Sequence, residues 1–413
     1  MNYVQCLLYL EKLGDEIVTM KFGLETIRTL LKKLGNPQTD YPSILIAGTN
    51  GKGSTACFLH SVFVACGIPC ALYTSPHLVC VEERLVVNGQ QIDSKTFAHY
   101  FTRVVEVIEE LGLSHHPTYF ETLTAVAFLY FSEMKVQVAV LEVGMGGRLD
   151  STNIVNPILS VLTRVGFDHE KFLGNSLEEI AAEKSGILRG GCPALTVSQL
   201  APVQRVLLRE AEMRNPLLYI LDEEAIQSGE NREGRYNFHF HGVEYALQIY
   251  GYHQMENAAL AVQSMEILQR FGFAFPSGCI KRGIETVQLK GRVQMLSGNP
   301  RVVFDGMHNM DAAKQLARFL RSHTPAPRSL VFAMMRDKRI GEVLKILNPC
   351  FEQIYLTSIP SARAATVEEL KRIHPSGIAV DELEVAYRRA HESGDTVVVG
   401  GSFFLVGELL KKL

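Results

Sequence analysis

The chain has 413 residues, of which 47% are hydrophobic and 21% charged, a composition typical of a globular protein with more than one domain. Its formal net charge of −3 excludes a general basic field that would attract nucleic acid or an anionic membrane. We therefore expect small-molecule substrates, with any anionic group met by local positive charge.

The cysteines and the N-terminus indicate the cellular compartment. No two of the eight cysteines form a C-x-x-C pair, and Cys57 and Cys66 fall in a segment with the composition of a buried helix. We expect reduced core thiols in a cytoplasmic protein and no disulfide framework. No basic region precedes a long apolar run, and no stretch approaches about 20 uninterrupted apolar residues. The sequence therefore predicts neither a signal peptide nor a membrane span.

The first elements lead into a glycine-rich turn. Apolar residues at helical spacing predict a helix over 22–34, which Gly35-Asn36-Pro37 ends. The apolar run 43–47 predicts a strand. It continues into Gly48-Thr49-Asn50-Gly51-Lys52-Gly53-Ser54-Thr55, and we predict a helix from about residue 54 to 66.

This turn has the composition of a phosphate-binding loop. Its backbone N–H groups and the following helix N-terminus favour bound phosphates. Lys52 would reach the outer phosphates, and Ser54 or Thr55 would face the associated Mg2+. The pattern departs from the general one, because Ile46 stands where the first glycine falls and Gly53 separates the lysine from Ser54. A glycine-rich turn that binds no ligand is the alternative.

Strands and helices then alternate along the chain. We predict strands at 71–73, 136–142 and 155–162, helices over 96–111 and 120–134, and a helix capped by Ser176 and Glu179 that runs towards Lys184. This alternation predicts an α/β fold with a mostly parallel sheet and helices on both faces. Ligands of such sheets lie beyond the carboxyl ends of the strands, so we expect one site to collect the polar residues that follow them. These are the phosphate loop, Ser75, Glu142 and the loop 164–169.

A second alternating series follows Gly291-Arg292. Its predicted strands are 301–305, 329–333, 353–357 and 396–400, and its predicted helices are 311–322, 340–347, 367–373 and 382–392. We place a domain boundary near residue 295. The sequence thus predicts a P-loop ATPase-like domain over 1–295 and a smaller, Rossmann-like α/β domain over 296–413.

Several polar residues have two interpretations. Glu142 ends an apolar strand, where a carboxylate is costly without a cation, and either Mg2+ bound to ATP or Arg148 could compensate it. Asp168-His169 follows the next strand and is expected beside Glu142, although a single histidine is usually structural. Lys184 lies in a predicted helix rich in glutamate, and its spacing alone favours an ordinary surface lysine.

The motifs together resemble the signatures of folylpolyglutamate synthases, which belong to the Mur ligase superfamily and whose bacterial members often double as dihydrofolate synthases. The resemblance follows the family's order across nearly the full chain. It rests on residues 47–54, Thr74-Ser75-Pro76-His77-Leu78, 141–150, Asp168-His169, Leu173-Gly174, 183–187, His253-Gln254, Asn257-Ala258-Ala259, Gly291-Arg292, 305–309 and 401–408.

The resemblance implies a role for individual residues. Ser75, Glu142 and His169 match the Mg2+ ligands, and Lys184 matches a lysine that is carbamylated to help hold a second Mg2+. His308 is a candidate for orienting the incoming amino acid. The expected ATP-binding residues are Asn50, Gly51, Lys52, Gly53, Ser54, Asn257, Arg292 and Asp305. The expected pteroate-binding residues are Thr118, Tyr119, Phe120, Glu121 and Leu149.

Two positions depart from many relatives, and neither is a proposed ligand. Met310 stands where many relatives have a proline after the His-Asn pair, and Ala333 stands where a glycine is common before the charged pair Asp337-Lys338. These departures concern the shape of local loops.

The resemblance also implies an activity. It is that of an ADP-forming ligase that adds L-glutamate to dihydropteroate, to a folate, or to both, through an acyl phosphate. We expect ATP and two Mg2+ ions, with a monovalent cation as a further candidate. The enzyme would be a cytoplasmic monomer without nucleic-acid or membrane partners.

Three alternatives stay open. The first is a folylpolyglutamate synthase without dihydrofolate synthase activity. The second is a cell-wall-type Mur ligase, which usually carries an extra N-terminal domain, whereas here the phosphate loop begins near residue 48. The third is a non-ligating nucleotide-binding protein or a simple phosphotransferase, which would leave four matching residues as coincidences: Ser75, Glu142, His169 and Lys184.

Overall fold

A computed structural model describes residues 1–14, 23–113, 115–214, 216–229, 236–296 and 298–413. These residues form two compact units. The first comprises Met1–Gly166, Glu170–Ala225 and Asn257–Thr286, and the second comprises Phe167–His169, Ile226–Glu256 and Val287–Leu413. The division into domains at residue 295 stays a prediction.

The first unit is built on an eight-stranded sheet in the described residues, with the order β4-β3-β2-β5-β1-β6-β7-β8. Strands β2, β5, β1, β6, β7 and β8 are parallel, whereas β3 is antiparallel to β2 and β4. Because β5 and β6 flank β1, the carboxyl ends of these three strands lie side by side. The strands are β1 (Ser43–Ala47), β2 (Cys70–Tyr73), β3 (Leu85–Val87), β4 (Gln90–Gln91), β5 (Val138–Glu142), β6 (Pro157–Leu162), β7 (Pro193–Thr196) and β8 (Leu217–Ile220).

The helices up to residue 286 agree with the predicted ones to within a few residues where both exist. Residue 22, the first of the predicted helix 22–34, lies outside the described residues. The predicted capping box is confirmed, because the Glu179 N–H donates to the Ser176 hydroxyl at 3.2 Å and the Ser176 N–H donates to the Glu179 carboxylate. The helices are α1 (Tyr3–Lys12), α2 (Glu25–Lys33), α3 (Lys52–Ala65), α4 (Ser94–Leu111), α5 (Tyr119–Glu133), α6 (Glu170–Leu173), α7 (Leu177–Lys184), α8 (Ala201–Arg214), α9 (Tyr252–Arg270) and α10 (Cys279–Glu285).

The second unit contains a six-stranded sheet with the order β12-β13-β17-β14-β15-β16, in the part of the chain that the structure describes. Only β12 runs antiparallel to its neighbour in this sheet, and a small antiparallel sheet of order β11-β10-β9 accompanies it. Its strands are β9 (Gln227–Ser228), β10 (Tyr236–Phe240), β11 (Val243–Leu247), β12 (Gln294–Leu296), β13 (Arg301–Asp305), β14 (Arg328–Phe332), β15 (Gln353–Leu356), β16 (Ile378–Ala379) and β17 (Thr396–Gly400).

Helices of the second unit cover this sheet and bury a continuous apolar core that includes Leu316, Leu330 and Val398. They are α11 (Met310–His323), α12 (Ile340–Leu347), α13 (Val367–Ile373), α14 (Leu383–Ser393) and α15 (Phe403–Leu410). The predicted fold class, α/β with mostly parallel sheets, is confirmed. Across the described ranges, no helix is both long and apolar enough to cross a membrane.

One expectation about the cysteines is wrong. Cys66 and Cys279 form a disulfide across 213 residues of sequence. The bond joins the end of α3 to the start of α10, which pack tightly because Gly283 has no side chain: a Cβ there would lie 2.4 Å from the Val62 Cα. No local spacing could reveal this pair. The other cysteines are free thiols, as expected: Cys6, Cys57, Cys70, Cys80, Cys192 and Cys350.

Candidate active site

The phosphate loop connects β1 to α3. It is tied to the segment after β6, since the N–H groups of Thr49 and Asn50 donate to the Arg164 carbonyl at 2.8 and 3.2 Å. Helix α3 begins at Lys52, two residues earlier than predicted, so Lys52, Gly53 and Ser54 form its first turn. The N–H groups of a first turn have no acceptor within their helix, which makes this turn suited to an anion.

Two glycines of this loop are required by its geometry. Gly48 has φ +148°, and a Cβ there would lie 1.9 Å from the Thr163 hydroxyl oxygen. Gly51 has φ +93°, and a Cβ there would lie 2.4 Å from the carboxamide oxygen of Asn257. The structure thus brings Asn257, which is 206 residues further along the chain, against the loop as a neighbour of its central turn.

Lys184 lies at the same loop. Its side chain is buried, and its amine donates to the Gly48 carbonyl at 2.8 Å. The interpretation as an ordinary surface lysine is therefore wrong. Helix α7 ends at this residue, and its capping box fixes where the helix begins. Local spacing could not show that the last turn of α7 faces the phosphate loop.

Glu142 is buried at the end of β5, at 3% exposure. Its carboxylate accepts the N–H of Ser75, 3.1 Å away, because β2 pairs with β5 and Ser75 follows β2. Arg148, the alternative partner, instead forms ion pairs with Glu183 and Glu210 at 3.4 and 4.0 Å. A buried carboxylate beside a serine provides the oxygen donors that Mg2+ prefers.

The predicted pteroate segment begins helix α5. Thr118 and Glu121 form a capping box, in which the Glu121 carboxylate accepts the Thr118 N–H at 2.8 Å. Phe120 is buried and leaves no room for a side chain on Gly144, whose Cβ would lie 2.7 Å from the ring. Tyr119 is half-buried, and Leu149, in the loop after β5, is 38% exposed. The capping function of Glu121 was not anticipated from the sequence.

In the second unit, Asp305 ends β13 and is buried. Its carboxylate accepts the N–H groups of Val293 and Met307 at 2.8 and 2.9 Å, yet burial raises its pKa to about 6. The guanidinium of Arg292 lies over the Phe403 ring, 4.6 Å from its centroid. Both predicted ATP-binding residues of this unit are therefore held by neighbours of their own unit.

Asp168 lies among three basic side chains, a cluster that the sequence did not reveal. It forms a short ion pair with Lys338, and the His308 ring nitrogen lies 3.3 Å from its carboxylate. The His169 N–H donates to it at 2.9 Å. Burial alone would raise the pKa of the Asp168 carboxyl, but the surrounding histidines and lysine hold it well below its usual range. The only sequence signal was the pair of charged dipeptides, Asp168-His169 and Asp337-Lys338.

Comparison with known proteins identifies the family. The chain matches the Mur ligase middle domain over residues 46–265 and the Mur ligase glutamate ligase domain over residues 291–403. It is 32% identical to the dihydrofolate synthase/folylpolyglutamate synthase of Bacillus subtilis (strain 168), over 95% of this chain and 95% of that protein. The chain belongs to the dihydrofolate synthase/folylpolyglutamate synthase family of Mur ligases. It is accordingly an enzyme of the ligase class, as its motifs predicted.

Solved structures of this family have the same fold. A Mycobacterium tuberculosis folylpolyglutamate synthase complexed with ADP and AMPPCP superposes with a TM-score of 0.89, at 30% identity over 100% of this chain and 99% of that one. A bifunctional folylpolyglutamate synthase/dihydrofolate synthase with Mn, AMPPNP and L-glutamate bound gives a TM-score of 0.86, at 28% identity over 100% of this chain and 98% of that one.

Proposed function

We propose that this ligase joins L-glutamate both to dihydropteroate and to a reduced folate, using ATP and releasing ADP and phosphate. The observation that carries the proposal is the position of Lys184, buried with its amine on the Gly48 carbonyl of the phosphate loop. A nucleotide-binding loop alone does not require a buried lysine there. Relatives named for both activities, and relatives that bind ATP analogues and L-glutamate, support the same conclusion.

We propose a divalent cation, Mg2+, because the buried Glu142 carboxylate lies beside Ser75 at the end of β5. Ser75, Glu142 and His169 would hold one ion, which supplies positive charge beside the phosphates when it is bound. Carbamylation of the Lys184 amine would convert a cation into an anionic group able to help hold a second ion. A monovalent cation is a further proposed cofactor.

The chain's own groups would bind and orient the nucleotide. Lys52 and the first turn of α3 would place positive charge on the transferred phosphoryl group. Asn257, Arg292 and Asp305 would contact the rest of ATP. The loop residues proposed with them are Asn50, Gly51, Gly53 and Ser54.

Activation of the acceptor explains why ATP is consumed. A carboxylate resists attack by an amine, because its negative charge reduces the electrophilicity of its carbon. Transfer of the γ-phosphoryl group to a carboxylate oxygen gives an acyl phosphate and ADP. The glutamate amine then attacks the acyl carbon, loses a proton and expels phosphate, leaving an amide. His308 would orient the amino acid, and much of the rate enhancement would come from positioning.

The acceptor would lie against the start of α5. Tyr119 and Leu149 keep exposed surface that suits a flat aromatic substrate, and Thr118, Phe120 and Glu121 shape the segment from within. We propose that one such pocket serves both acceptors, in a monomeric and cytoplasmic enzyme.

Parallel turnover assays test the proposal. Purified protein with ATP, Mg2+ and L-glutamate should form ADP with dihydropteroate and with tetrahydrofolate. Turnover with tetrahydrofolate but not with dihydropteroate would show a folylpolyglutamate synthase without dihydrofolate synthase activity. Nucleotide binding without glutamate-stimulated turnover on either acceptor would favour a non-ligating protein and overturn the proposal.

A further inference from the structure

A buried arginine ends the loop that carries Ser75. Strands β2 and β3 pair antiparallel with Tyr73 opposite Leu85, so residues 74–84, which we call the Ser75 loop, leave and rejoin the sheet at one place. The Thr74 N–H donates to the Arg84 carbonyl at 3.2 Å and closes the loop. The Arg84 residue is only 2% exposed, which is rare for arginine.

The interior of the Ser75 loop is also fixed. One carboxylate, that of Glu83, accepts the N–H groups of Leu78, Val79 and Cys80 at 2.7, 3.0 and 3.3 Å. Charge-assisted hydrogen bonds of this kind are stronger than neutral ones. These hydrogen bonds therefore fix the backbone of the loop that ends at Arg84.

The Arg84 side chain contacts two segments at once. Its Nε–H donates to Nδ1 of His77, 3.0 Å away, and its guanidinium lies over the ring of Tyr119, 5.5 Å from the centroid. Because arginine can only donate, Nδ1 of His77 is the acceptor, and a neutral His77 ring then carries its proton on Nε2. Arg84 thus connects the Ser75 loop to the first residue of α5.

We propose that Arg84 is a positioning residue that holds Tyr119 and His77 in place for the pteroate acceptor. The guanidinium over the Tyr119 ring would fix the orientation of this ring, which the flat acceptor would contact. A planar guanidinium can donate through Nε and cover an aromatic ring together, whereas a lysine ammonium cannot combine these geometries. This inference rests on the proposed function, because Tyr119 is a proposed acceptor contact.

Steady-state kinetics separate this role from a general structural one. In R84Q we expect the KM for dihydropteroate to rise about 10-fold, or about 1.4 kcal/mol, while the KM for ATP stays within about 2-fold. R84K keeps the charge but loses the planar guanidinium. Its KM for dihydropteroate should therefore lie between those of R84Q and the wild type. R103Q is the matched control, because Arg103 also lies over an aromatic ring, that of Tyr100 at 5.7 Å, but its side chain is 37% exposed and paired with Glu133. Its KM values should not change.

A double-mutant cycle keeps the test decisive if R84Q does not fold. His77→Leu and Tyr119→Leu each remove one contact and leave Arg84 in place. Non-additive effects on the dihydropteroate KM would support a link through Arg84, and additive effects would overturn it. An unchanged dihydropteroate KM in folded R84Q, or an equal rise in the ATP KM, would also overturn it. Absence of wild-type turnover on every acceptor would instead overturn the proposed function.

Discussion

Replacing Gly51 by alanine should damage the nucleotide site in a way that the structure quantifies. At φ +93° an alanine adopts an unfavourable backbone conformation, which costs about 1–2 kcal/mol. Its Cβ would also lie 2.4 Å from the Asn257 carboxamide oxygen, whereas ordinary contact begins near 3.4 Å. The carboxamide must therefore move by about 1 Å, and Asn257 is buried at 4% exposure.

Gly35 provides a matched control for this substitution. Its φ of +89° imposes a similar conformational cost, but nothing lies within 4 Å of the position of its Cβ. Gly35→Ala should thus lose about 1–2 kcal/mol of unfolding free energy in urea, and Gly51→Ala should lose at least as much, because its clash adds to the backbone cost. Only Gly51→Ala should also lose activity, because a misplacement of about 1 Å at an active site can cost about 100-fold in rate.

The assay is kcat/KM for ATP at saturating acceptor and glutamate. We expect a 10- to 100-fold decrease for Gly51→Ala, on the order of 1.4–2.7 kcal/mol, and a change within about 2-fold for Gly35→Ala. Equal kcat/KM values in the two variants would refute the reasoning, because they would show that Asn257 has no part in nucleotide binding.

Three further predictions concern the phosphate loop, the disulfide and a buried acid. Lys52→Ala should abolish turnover with an unchanged thermal melting curve, because Lys52 offers its charge to the phosphates; near-normal turnover would refute this. Reduction of Cys66–Cys279, separated by 213 residues, should lower the urea unfolding free energy by up to roughly 5 kcal/mol, and a variant with both cysteines replaced by serine should not respond to reductant. Burial raises the pKa of Asp305 to about 6 from 3.8, so its stabilising contribution is complete below about pH 4 and is lost as the pH rises through 6. Between pH 4 and 7 the wild type should therefore lose up to about 3 kcal/mol more unfolding free energy than Asp305→Asn, and equal losses would contradict this.

Much of the fold could be predicted because its signals are local. Strand β13 and helices α12 and α13 have the predicted bounds, since apolar residues mark their buried faces and turn residues mark their ends. Glu142 could be placed at the end of a buried strand for the same reason. No element was predicted over 188–290, where β9 consists of two exposed residues and lacks an alternating pattern.

The features that the sequence did not predict depend on contacts between residues that are far apart in the chain. The spacing within α7 favoured an exposed Lys184. Only the packing of α7 shows that Lys184 contacts the phosphate loop. Asp168 and Lys338 lie 170 residues apart, so the sequence showed two charged dipeptides but not their ion pair. Cys66 and Cys279 were missed for the same reason, because the packing of α3 on α10 brings them together.

The most direct test of the central claim is the dependence of ADP formation on both other substrates. With dihydropteroate, L-glutamate, ATP and Mg2+ present, the account predicts one ADP and one phosphate for each amide bond formed, and no sustained ADP release when either dihydropteroate or glutamate is omitted. ADP release that continues unchanged without glutamate, or without any acceptor, would contradict it.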